Sequence, residues 1–307
     1  MLSKKVLAFL ELMRPLEWSK TFGNMVLGVI AAAFYAKAEF NFAFILKFLL
    51  AFFSAAVCLW SGLYALNDYT DWEKDLMHKV KRNRPIPSGR IKPREALIFS
   101  WTLIILAFLT GSLISSLFLL CLLAMLINQL LYTTKPFKLK EKPFADLVSG
   151  SLINPIFRFA CGWVLIMNNF NIPLLFLLFI LGVQFGGFTL YRLSSKKLEE
   201  ELAYKSSVVS LSEGFLKKIS YAAIAISLLS YVLLCVADIY KPLRFFGYLP
   251  FSYLLYGLFM LTPLPLYKDA LLNPQKADIK KMYFILYAHY IAFIIGLIVL
   301  MFVLKIR

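Results

Sequence analysis

Long apolar runs separated by short polar segments dominate the chain. Runs of about 20 apolar residues have the length that crosses a hydrocarbon core as a helix. Nine such runs occur, near 16–36, 43–66, 96–113, 115–133, 145–167, 172–192, 219–238, 246–267 and 282–304. Gly111–Ser116 separates the third from the fourth run and predicts a tight hairpin. The pattern therefore predicts an all-α, polytopic membrane protein with nine transmembrane helices.

The composition agrees with a lipid environment. Hydrophobic residues make up 61% of the 307 residues, and the mean hydropathy is +0.75. Soluble domains contain roughly 45–50% apolar residues. Nine spans would fill the chain as a single membrane-embedded domain over 1–307. The segment 2–13 has an apolar side and no small-residue cleavage site after it, so we expect a short interfacial helix.

The net charge of +16 is distributed unevenly between the predicted loops. With the N-terminus in the cytoplasm, 26 of the 33 Lys and Arg residues lie on the cytoplasmic side and six on the other side. Cytoplasmic loops of membrane proteins are rich in Lys and Arg. Topology therefore explains much of the charge, and no nucleic-acid partner is expected. The pattern predicts a multi-pass protein of the cell membrane with its basic loops in the cytoplasm.

A row of acidic residues follows the second apolar run. If the helix continues there, Asn67, Asp71 and Asp75 share one face, and Asp68 lies beside them. Oxygen ligands without His or Cys suit Mg²⁺, which binds one or two carboxylates and completes its shell with water and phosphate oxygens. The row predicts a magnesium site at the cytoplasmic end of this helix.

Cations follow the acidic row at once. The loop contains Lys79, Lys81, Arg82 and Arg84, and then a Pro-Ile-Pro-Ser-Gly turn. Guanidinium groups bind the phosphate oxygens that a metal leaves uncovered. The acidic row and the cations together predict a site for a magnesium diphosphate complex, with Arg82 and Arg84 among the substrate-binding residues.

Several stretches resemble the UbiA-type intramembrane prenyltransferase superfamily. Asn67–Asp75, which reads Asn-Asp-x-x-Asp-x-x-x-Asp, and Arg84–Arg90 are together similar to its first signature. Arg14-Pro15 is similar to the start of its first span. Tyr132–Lys140, with a tyrosine followed by basic residues, is similar to the exit from its fourth span. The resemblance covers most of the chain.

The resemblance implies a helical bundle around a central cavity that opens towards lipid. It also implies Mg²⁺-dependent transfer of an isoprenyl group from a prenyl diphosphate to a hydrophobic or lipid acceptor, with release of pyrophosphate. By this analogy Asp68, Asp71 and Asp75 are catalytic and, with Asn67, hold Mg²⁺.

The same analogy implies a set of donor-binding residues. They are Arg14, Arg84, Tyr132, Lys138 and Lys140. The physical role of such cations is to stabilise negative charge on the departing pyrophosphate.

The sequence departs from the family after the sixth run. The second aspartate motif is missing, and no aspartate occurs between Asp146 and Asp238. In one interpretation Glu199–Glu201 supply displaced metal ligands. In the other, which we favour, Arg192 and the pair Lys196–Lys197 offset phosphate charge directly, so Arg192 and Lys196 bind substrate.

This departure leaves a second activity open. Polyprenyl-phosphate phosphoribosyltransferases of the same superfamily also release pyrophosphate. The chain resembles them in its first motif, in Trp18-Ser19-Lys20, which makes Lys20 a candidate substrate-binding residue, and in the basic residues that replace the second motif. The intact proline-rich turn and Tyr132–Lys140 favour prenyl transfer.

Arg158 lies in the middle of the fifth apolar run. A charged side chain at membrane depth is costly and points to a function. Arg158 either binds acceptor or phosphate, or forms an internal pair that holds helices together.

A transporter is the more distant functional alternative. It is disfavoured because the polar residues gather at the cytoplasmic rim instead of the bilayer midplane, and the spans show no convincing inverted repeat. Gly182, Gly186 and Gly187 are expected to permit close packing of helices.

Overall fold

The computed structural model describes residues 4–36, 38, 40–78, 80–201, 205–261, 268, 272–273 and 279–303, and within them the chain contains helices and no strand. Seven helices precede residue 195: α1 Lys4–Met13, α2 Trp18–Ala36, α3 Phe42–Leu76, α4 Pro93–Gly111, α5 Ser116–Thr133, α6 (Ala145–Val148, Ser149–Ile153 and Asn154–Trp163) and α7 Leu174–Leu193. Four follow it: α8 Lys196–Glu201, α9 Ser207–Ser210, α10 Glu213–Ile239 and α11 Ile279–Val303. The all-helical prediction is confirmed.

Five of these helices, α3, α4, α5, α7 and α10, are long and apolar enough to cross a membrane. The predicted count of nine spans is not confirmed. The main departure is at 246–267, where the described part contains the short 3-10 helices Phe251–Tyr253 and Leu255–Leu261. Gly247, with φ of 123°, and Pro250 interrupt any longer helix there. Residues 262–267 lie outside the described part.

Helix α3 extends well beyond the second predicted span. Its 35 residues correspond to roughly 50 Å, compared with about 30 Å for a hydrocarbon core. The apolar part therefore anchors the helix in the bilayer, and its polar end at Leu76 projects past it. The predicted common face of Asn67, Asp71 and Asp75 required the helix to continue through Asp75, and the helix does so.

Helix α1 braces the projecting end of α3. Ala8 and Leu12 are buried in a small apolar cluster with Ala65 of α3 and Ile86 of the proline-rich turn. The other side of α1 exposes apolar side chains, including Leu7. A helix with one packed side and one exposed apolar side fits the membrane interface.

Helices α2 and α6 approach closely through two glycines. A Cβ atom at Gly28 would overlap the Phe159 carbonyl oxygen, and one at Gly162 would overlap the Met25 carbonyl oxygen. Small residues allow such backbone contact between helices in membranes. This contact fixes the position of the polar residues one or two turns away on both helices.

Helices α7 and α10 pack by the same device at two of the three predicted glycines. A Cβ at Gly182 would overlap the Ala223 carbonyl oxygen, and one at Gly186 would lie 2.7 Å from the Ser220 carbonyl oxygen. No atom lies within 4 Å of the corresponding position at Gly187. The packing prediction is therefore confirmed for Gly182 and Gly186 and wrong for Gly187.

A π-helical segment, Ser149–Ile153, lies inside α6 immediately before Asn154 and Pro155. Proline cannot donate the usual backbone hydrogen bond and clashes with the carbonyl four residues earlier, which the wider turn relieves. Asn128 of α5 fills the polar gap, because its side-chain amide donates to the Ser149 carbonyl oxygen at 3.0 Å and to Asn154 Oδ1 at 2.8 Å.

Gly162, which lies at a close helix contact, and Gly187, which does not, together provide a test of the helix contacts. We expect Gly162→Ala to destabilise the folded protein by about 1–3 kcal/mol, because the added methyl group must separate α2 from α6. Gly187→Ala is the matched control and should leave stability unchanged or slightly higher. Thermal unfolding in detergent measures both, and equal melting temperatures for the two variants would contradict the proposed contact.

Candidate active site

The acidic row lies on the last three turns of α3. Asp68 and Asp75 are buried, with 2% and 1% of their surface exposed, and Asn67 and Asp71 are half-buried. A buried carboxylate loses its hydration and must be compensated by cations or hydrogen bonds. The structure brings several of the predicted cations to these carboxylates.

Arg84 connects Asp68 to Asp75, and Arg14 also contacts Asp68. Arg84 donates to Asp68 Oδ1 at 3.0 Å and to Asp75 Oδ2 at 2.8 Å through one guanidinium nitrogen. Arg14 donates to the same Asp68 oxygen at 2.5 Å. The start of the chain, α3 and the proline-rich turn are thereby joined at one carboxylate pair.

Lys140 compensates the other end of the row. Its ammonium group lies 2.6 Å from Asp71 Oδ1, 3.2 Å from Asn67 Oδ1 and 2.9 Å from Thr133 Oγ1. Thr133 also donates to Asn67 Oδ1 at 2.9 Å. We call Asn67, Asp71 and Thr133 the oxygen cradle, since their three oxygens surround a single cation.

Lys81 is the fourth cation beside the row. Its ammonium nitrogen lies 3.8 Å from Asp75 Oδ1. We call Arg14, Arg84, Lys140 and Lys81 together the ring of cations. Burial lowers the pKa of Lys81 and that of Lys140, while the charges of Asp75 and Asp71 oppose this effect. The acidic row therefore offsets part of the cost of burying these two lysines.

Glu141 belongs to the site but has no counterpart among the predicted residues. It accepts from Lys74 at 2.5 Å and from Lys138 at 2.7 Å. Burial alone would raise its pKa, but the hydrogen bonds from Lys138 and Lys74 lower it overall. Lys138 thus pairs with Glu141 and lines an open pocket of about 300 Å³, which Trp72 and Thr133 of the oxygen cradle also line.

Two of the predicted cations occupy unusual backbone conformations. Arg14 and Lys138 have positive φ angles of 51° and 43°. Such angles are uncommon for residues other than glycine and cost of order 1–3 kcal/mol each. The surrounding contacts, from Asp68 to Arg14 and from Glu141 to Lys138, hold both side chains at the site despite this cost.

A second cluster surrounds Arg192 at the end of α7. Arg192 lies 3.0 Å from Glu199 Oε2 and 3.4 Å from Asp146 Oδ2. Glu199 also accepts from Ser195 at 2.8 Å and from Ser206. Through these contacts Arg192, Glu199 and Asp146 hold the segment after α7 against the start of α6, and we call the three residues the clip.

This cluster bears on both interpretations of the missing second motif. A metal at Glu199 would have to displace Arg192, and a phosphate at Arg192 would have to displace Glu199 and Asp146. Lys196 pairs with the exposed Glu200 at 3.8 Å and exchanges partners more easily. Tyr132 lies within electrostatic reach of Arg192 and of Asp71, between the two clusters.

The remaining predicted residues, Arg82, Lys20 and Arg158, lie in two different regions of the structure. Arg82 is exposed on the short helix Lys81–Asn83, outside the ring of cations. Lys20 and Arg158 lie on α2 and α6, where Lys20 is paired with Glu17 at 2.5 Å.

Sequence reasoning missed Glu17, Thr133, Glu141 and Asp146. Two signals could have found some of them. Glu141 lies beside Lys140, and Asp146 is the last aspartate before the long gap. Thr133 and Glu17 gave no signal, because their importance depends on contacts between distant segments.

The donor set fits Mg²⁺. Among the described residues, no group of three or more His, Cys, Asp or Glu side chains gathers closely enough to bind a metal alone. Magnesium needs only one or two carboxylates, since water and phosphate supply its other ligands. The oxygen cradle already surrounds a cation, the Lys140 ammonium group, with hard oxygen atoms.

The chain belongs to the UbiA prenyltransferase family, whose sequence model matches residues 25–294. It is therefore a multi-pass membrane protein. This confirms the family indicated by the first motif.

Individual relatives place the chain within this family. It is 36% identical over 159 residues to the digeranylgeranylglyceryl phosphate synthase of Methanococcus aeolicus, over 50% of this chain and 52% of that protein. The synthase of Methanococcus maripaludis is 29% identical over 283 residues, or 89% and 90% of the two chains. For several such synthases the match spans about half their length.

The fold is also similar to a solved structure. A UbiA homologue from Archaeoglobus fulgidus, bound to GPP and Mg²⁺, superposes with a TM-score of 0.69 at 18% identity. The superposition covers 95% of this chain and 99% of that one. At this identity the similarity establishes the shared fold.

The clip formed by Asp146 can be tested separately from the acidic row. Asp146 is fully buried and accepts from the Ser207 backbone at 3.0 Å and from its hydroxyl. We expect Asp146→Asn to destabilise the protein by about 1–3 kcal/mol, because an amide cannot accept all of these hydrogen bonds. Hydrogen exchange should rise over residues 205–212.

The control for this change is Glu200→Gln, which removes an exposed carboxylate paired with Lys196 at 3.8 Å. It should leave both melting and exchange unchanged, since exposed ion pairs contribute about 0–1 kcal/mol. Unaltered exchange over 205–212 in Asp146→Asn would mean that the clip does not hold this segment.

Proposed function

We propose that the protein transfers an isoprenyl group from a prenyl diphosphate to a hydrophobic or lipid acceptor and releases pyrophosphate. The reaction is Mg²⁺-dependent and takes place at the cytoplasmic face of the cell membrane. The single observation that carries the proposal is an acidic row in which every carboxylate is paired with a cation: Asp71 with Lys140, Asp68 with Arg14 and Arg84, and Asp75 with Arg84 and Lys81. Family membership and the names of the relatives support it.

Asn67, Asp68, Asp71 and Asp75 are the residues that would hold Mg²⁺. When bound, the metal neutralises charge on the diphosphate and on the leaving pyrophosphate. Asp71 and Asn67 are the most accessible of the four, since Asp68 and Asp75 are nearly fully buried. Asp68 and Asp75 accordingly also orient Arg14 and Arg84.

The cations bind the diphosphate by exchanging partners. Lys140 and Arg84 now donate to carboxylates, and phosphate oxygens offer equivalent acceptors. An exchange of this kind leaves each cation with a hydrogen-bonded anion, so little desolvation energy is lost. Arg84 reaches two carboxylates 7 residues apart on α3 and can follow the donor without leaving the site.

The donor's carbon–oxygen bond breaks as negative charge develops on the pyrophosphate. Arg14, Arg84 and Lys140 stabilise that charge from fixed positions, which costs no reorganisation when the bond breaks. The acceptor then captures the allylic carbon. Lys196, at the edge of the second cluster, offsets phosphate charge in place of the missing acidic motif.

A specific observation keeps the phosphoribosyltransferase as the second candidate. Lys20 and Arg158 lie near each other beside the acidic row, and Lys20 belongs to the stretch that resembles that branch. Mixing the purified protein with Mg²⁺ and either geranyl diphosphate or phosphoribosyl diphosphate distinguishes the donors. The donor that lowers the intrinsic fluorescence or raises the melting temperature only with Mg²⁺ identifies the reaction class.

The role of the cradle predicts the effect of removing one carboxylate. We expect Asp71→Asn to reduce pyrophosphate release by at least about 10²-fold, because the amide cannot neutralise the metal. Asp71 is only half-buried and Asn has its shape, so melting in detergent should change little. Near wild-type turnover in Asp71→Asn would refute the assignment. Glu213→Gln, which removes a carboxylate paired with Lys217, should retain activity.

The role of Arg84 predicts a donor-specific defect. We expect Arg84→Ala to raise the KM for the prenyl diphosphate at least about tenfold, since a hydrogen bond to a charged group contributes about 1.5–3 kcal/mol. The variant also leaves Asp68 and Asp75 less compensated, so its melting temperature should fall. Arg94→Ala, at the exposed start of α4, should change neither quantity. A lower melting temperature with an unchanged KM would assign Arg84 a structural role alone.

A further inference from the structure

Beside the acidic row lies a separate polar group formed by the buried Arg158 and the half-buried Glu17, Lys20 and Tyr64. Arg158 has 5% of its surface exposed, and its guanidinium carbon lies 3.7 Å from the centre of the Trp60 ring. Lys20 pairs with Glu17 at 2.5 Å. The four polar residues come from three segments: the turn and start of α2, the middle of α3, and α6.

Tyr64 links the two cations of this group, because its hydroxyl donates to Glu17 Oε2 at 3.4 Å and its ring centre lies 5.6 Å from that of Trp60, on which Arg158 stacks. Lys20 is influenced by the positive charges of both Arg158 and Arg14. Tyr64 also interacts with Arg158. The guanidinium carbon of Arg14 lies 5.1 Å from the centre of the Tyr64 ring. Holding like charges together inside a membrane protein costs free energy and is a mark of function.

Rigid packing keeps this arrangement in place. Arg158 lies one turn before Gly162, and Lys20 lies two turns before Gly28, so the glycine contact of α2 with α6 sets their separation. The π-helical segment before Pro155 sets the rotation of Arg158 about the α6 axis. The stacked Trp60 ring fixes the plane of the guanidinium group.

We infer that Lys20 and Arg158 bind the anionic headgroup of the acceptor, a lipid that carries a phosphate. This inference rests on the proposed function, because it assigns an acceptor to the same site. Arg14 contacts both groups, through Asp68 on one side and Tyr64 on the other, and so places the acceptor next to the donor. A planar guanidinium and an ammonium group together match the oxygens of a phosphate.

Binding without turnover tests the inference directly. Dioctanoyl phosphatidic acid, added to the purified protein without donor, should raise its melting temperature, and dioctanoylglycerol, which lacks the phosphate, should not. Inorganic phosphate at the same concentration should give little effect, because it lacks the chains that place the headgroup at the bilayer. Stabilisation by inorganic phosphate equal to that by the lipid would overturn the assignment to a lipid acceptor.

Substitutions then identify the cations. We expect Arg158→Gln and Lys20→Gln each to raise the Kd for dioctanoyl phosphatidic acid at least about tenfold. The Kd for geranyl diphosphate with Mg²⁺ should stay within about twofold of the original protein. Arg158→Lys should retain part of the lipid binding. If Arg158→Gln does not fold, Lys20→Gln carries the same test.

The matched control is Arg244→Gln. Arg244 also stacks on an aromatic ring, with its guanidinium carbon 4.7 Å from the centre of the Tyr248 ring, and pairs with Asp238 at 2.6 Å. The Arg244→Gln substitution should leave the Kd for dioctanoyl phosphatidic acid unchanged. A larger loss of geranyl diphosphate binding than of lipid binding in Arg158→Gln would assign the cations to the donor.

The outcomes separate this inference from the proposed function. Prenyl transfer to lysophosphatidic acid, unaffected by Arg158→Gln and by Lys20→Gln, would overturn the headgroup site and retain the transferase. Arg158-dependent binding of phosphatidic acid, without release of pyrophosphate from geranyl diphosphate in the presence of lysophosphatidic acid, whose free hydroxyl can accept a prenyl group, would retain the headgroup site and count against the donor.

Discussion

Compensation of two buried carboxylates is the constraint on which the site depends. Asp68 and Asp75 lie where α3 leaves the membrane, with almost no exposed surface, and Arg84 donates to both. An uncompensated charge in this position would cost several kcal/mol. The cations that satisfy this need come from the start of the chain and from the proline-rich turn, so the same ion pairs close the fold and shape the proposed diphosphate site.

Much of the fold follows from the pattern of apolar residues. The hairpin at Gly111–Ser116 and the helical character of the acidic row are correct, because helix length and periodicity are local properties. The region 246–267 is different. Its apolar composition satisfies a length criterion, yet Gly247 and Pro250 impose backbone angles that a hydropathy window does not detect.

The candidate site was predictable in its residue types and less so in its pairing. The spacing of Asn67, Asp71 and Asp75 places them on one face before any tertiary contact is known. That Lys140 enters the oxygen cradle, while Lys138 turns to Glu141, depends on a left-handed backbone angle at Lys138. Two lysines separated by one residue thus acquire different partners, and their spacing alone does not distinguish them.

The second cluster extends this argument to the missing acidic motif. Arg192 is held by Glu199 and Asp146, so its charge already has two partners and serves to fasten the segment after α7. A cation fixed in this way can orient neighbours, but it contributes to phosphate binding only by giving up those partners. Lys196, whose partner Glu200 is exposed and 3.8 Å away, exchanges at lower cost. Of the basic residues proposed to replace the motif, Lys196 is therefore the better candidate for binding phosphate, and Arg192 is the better candidate for holding the scaffold.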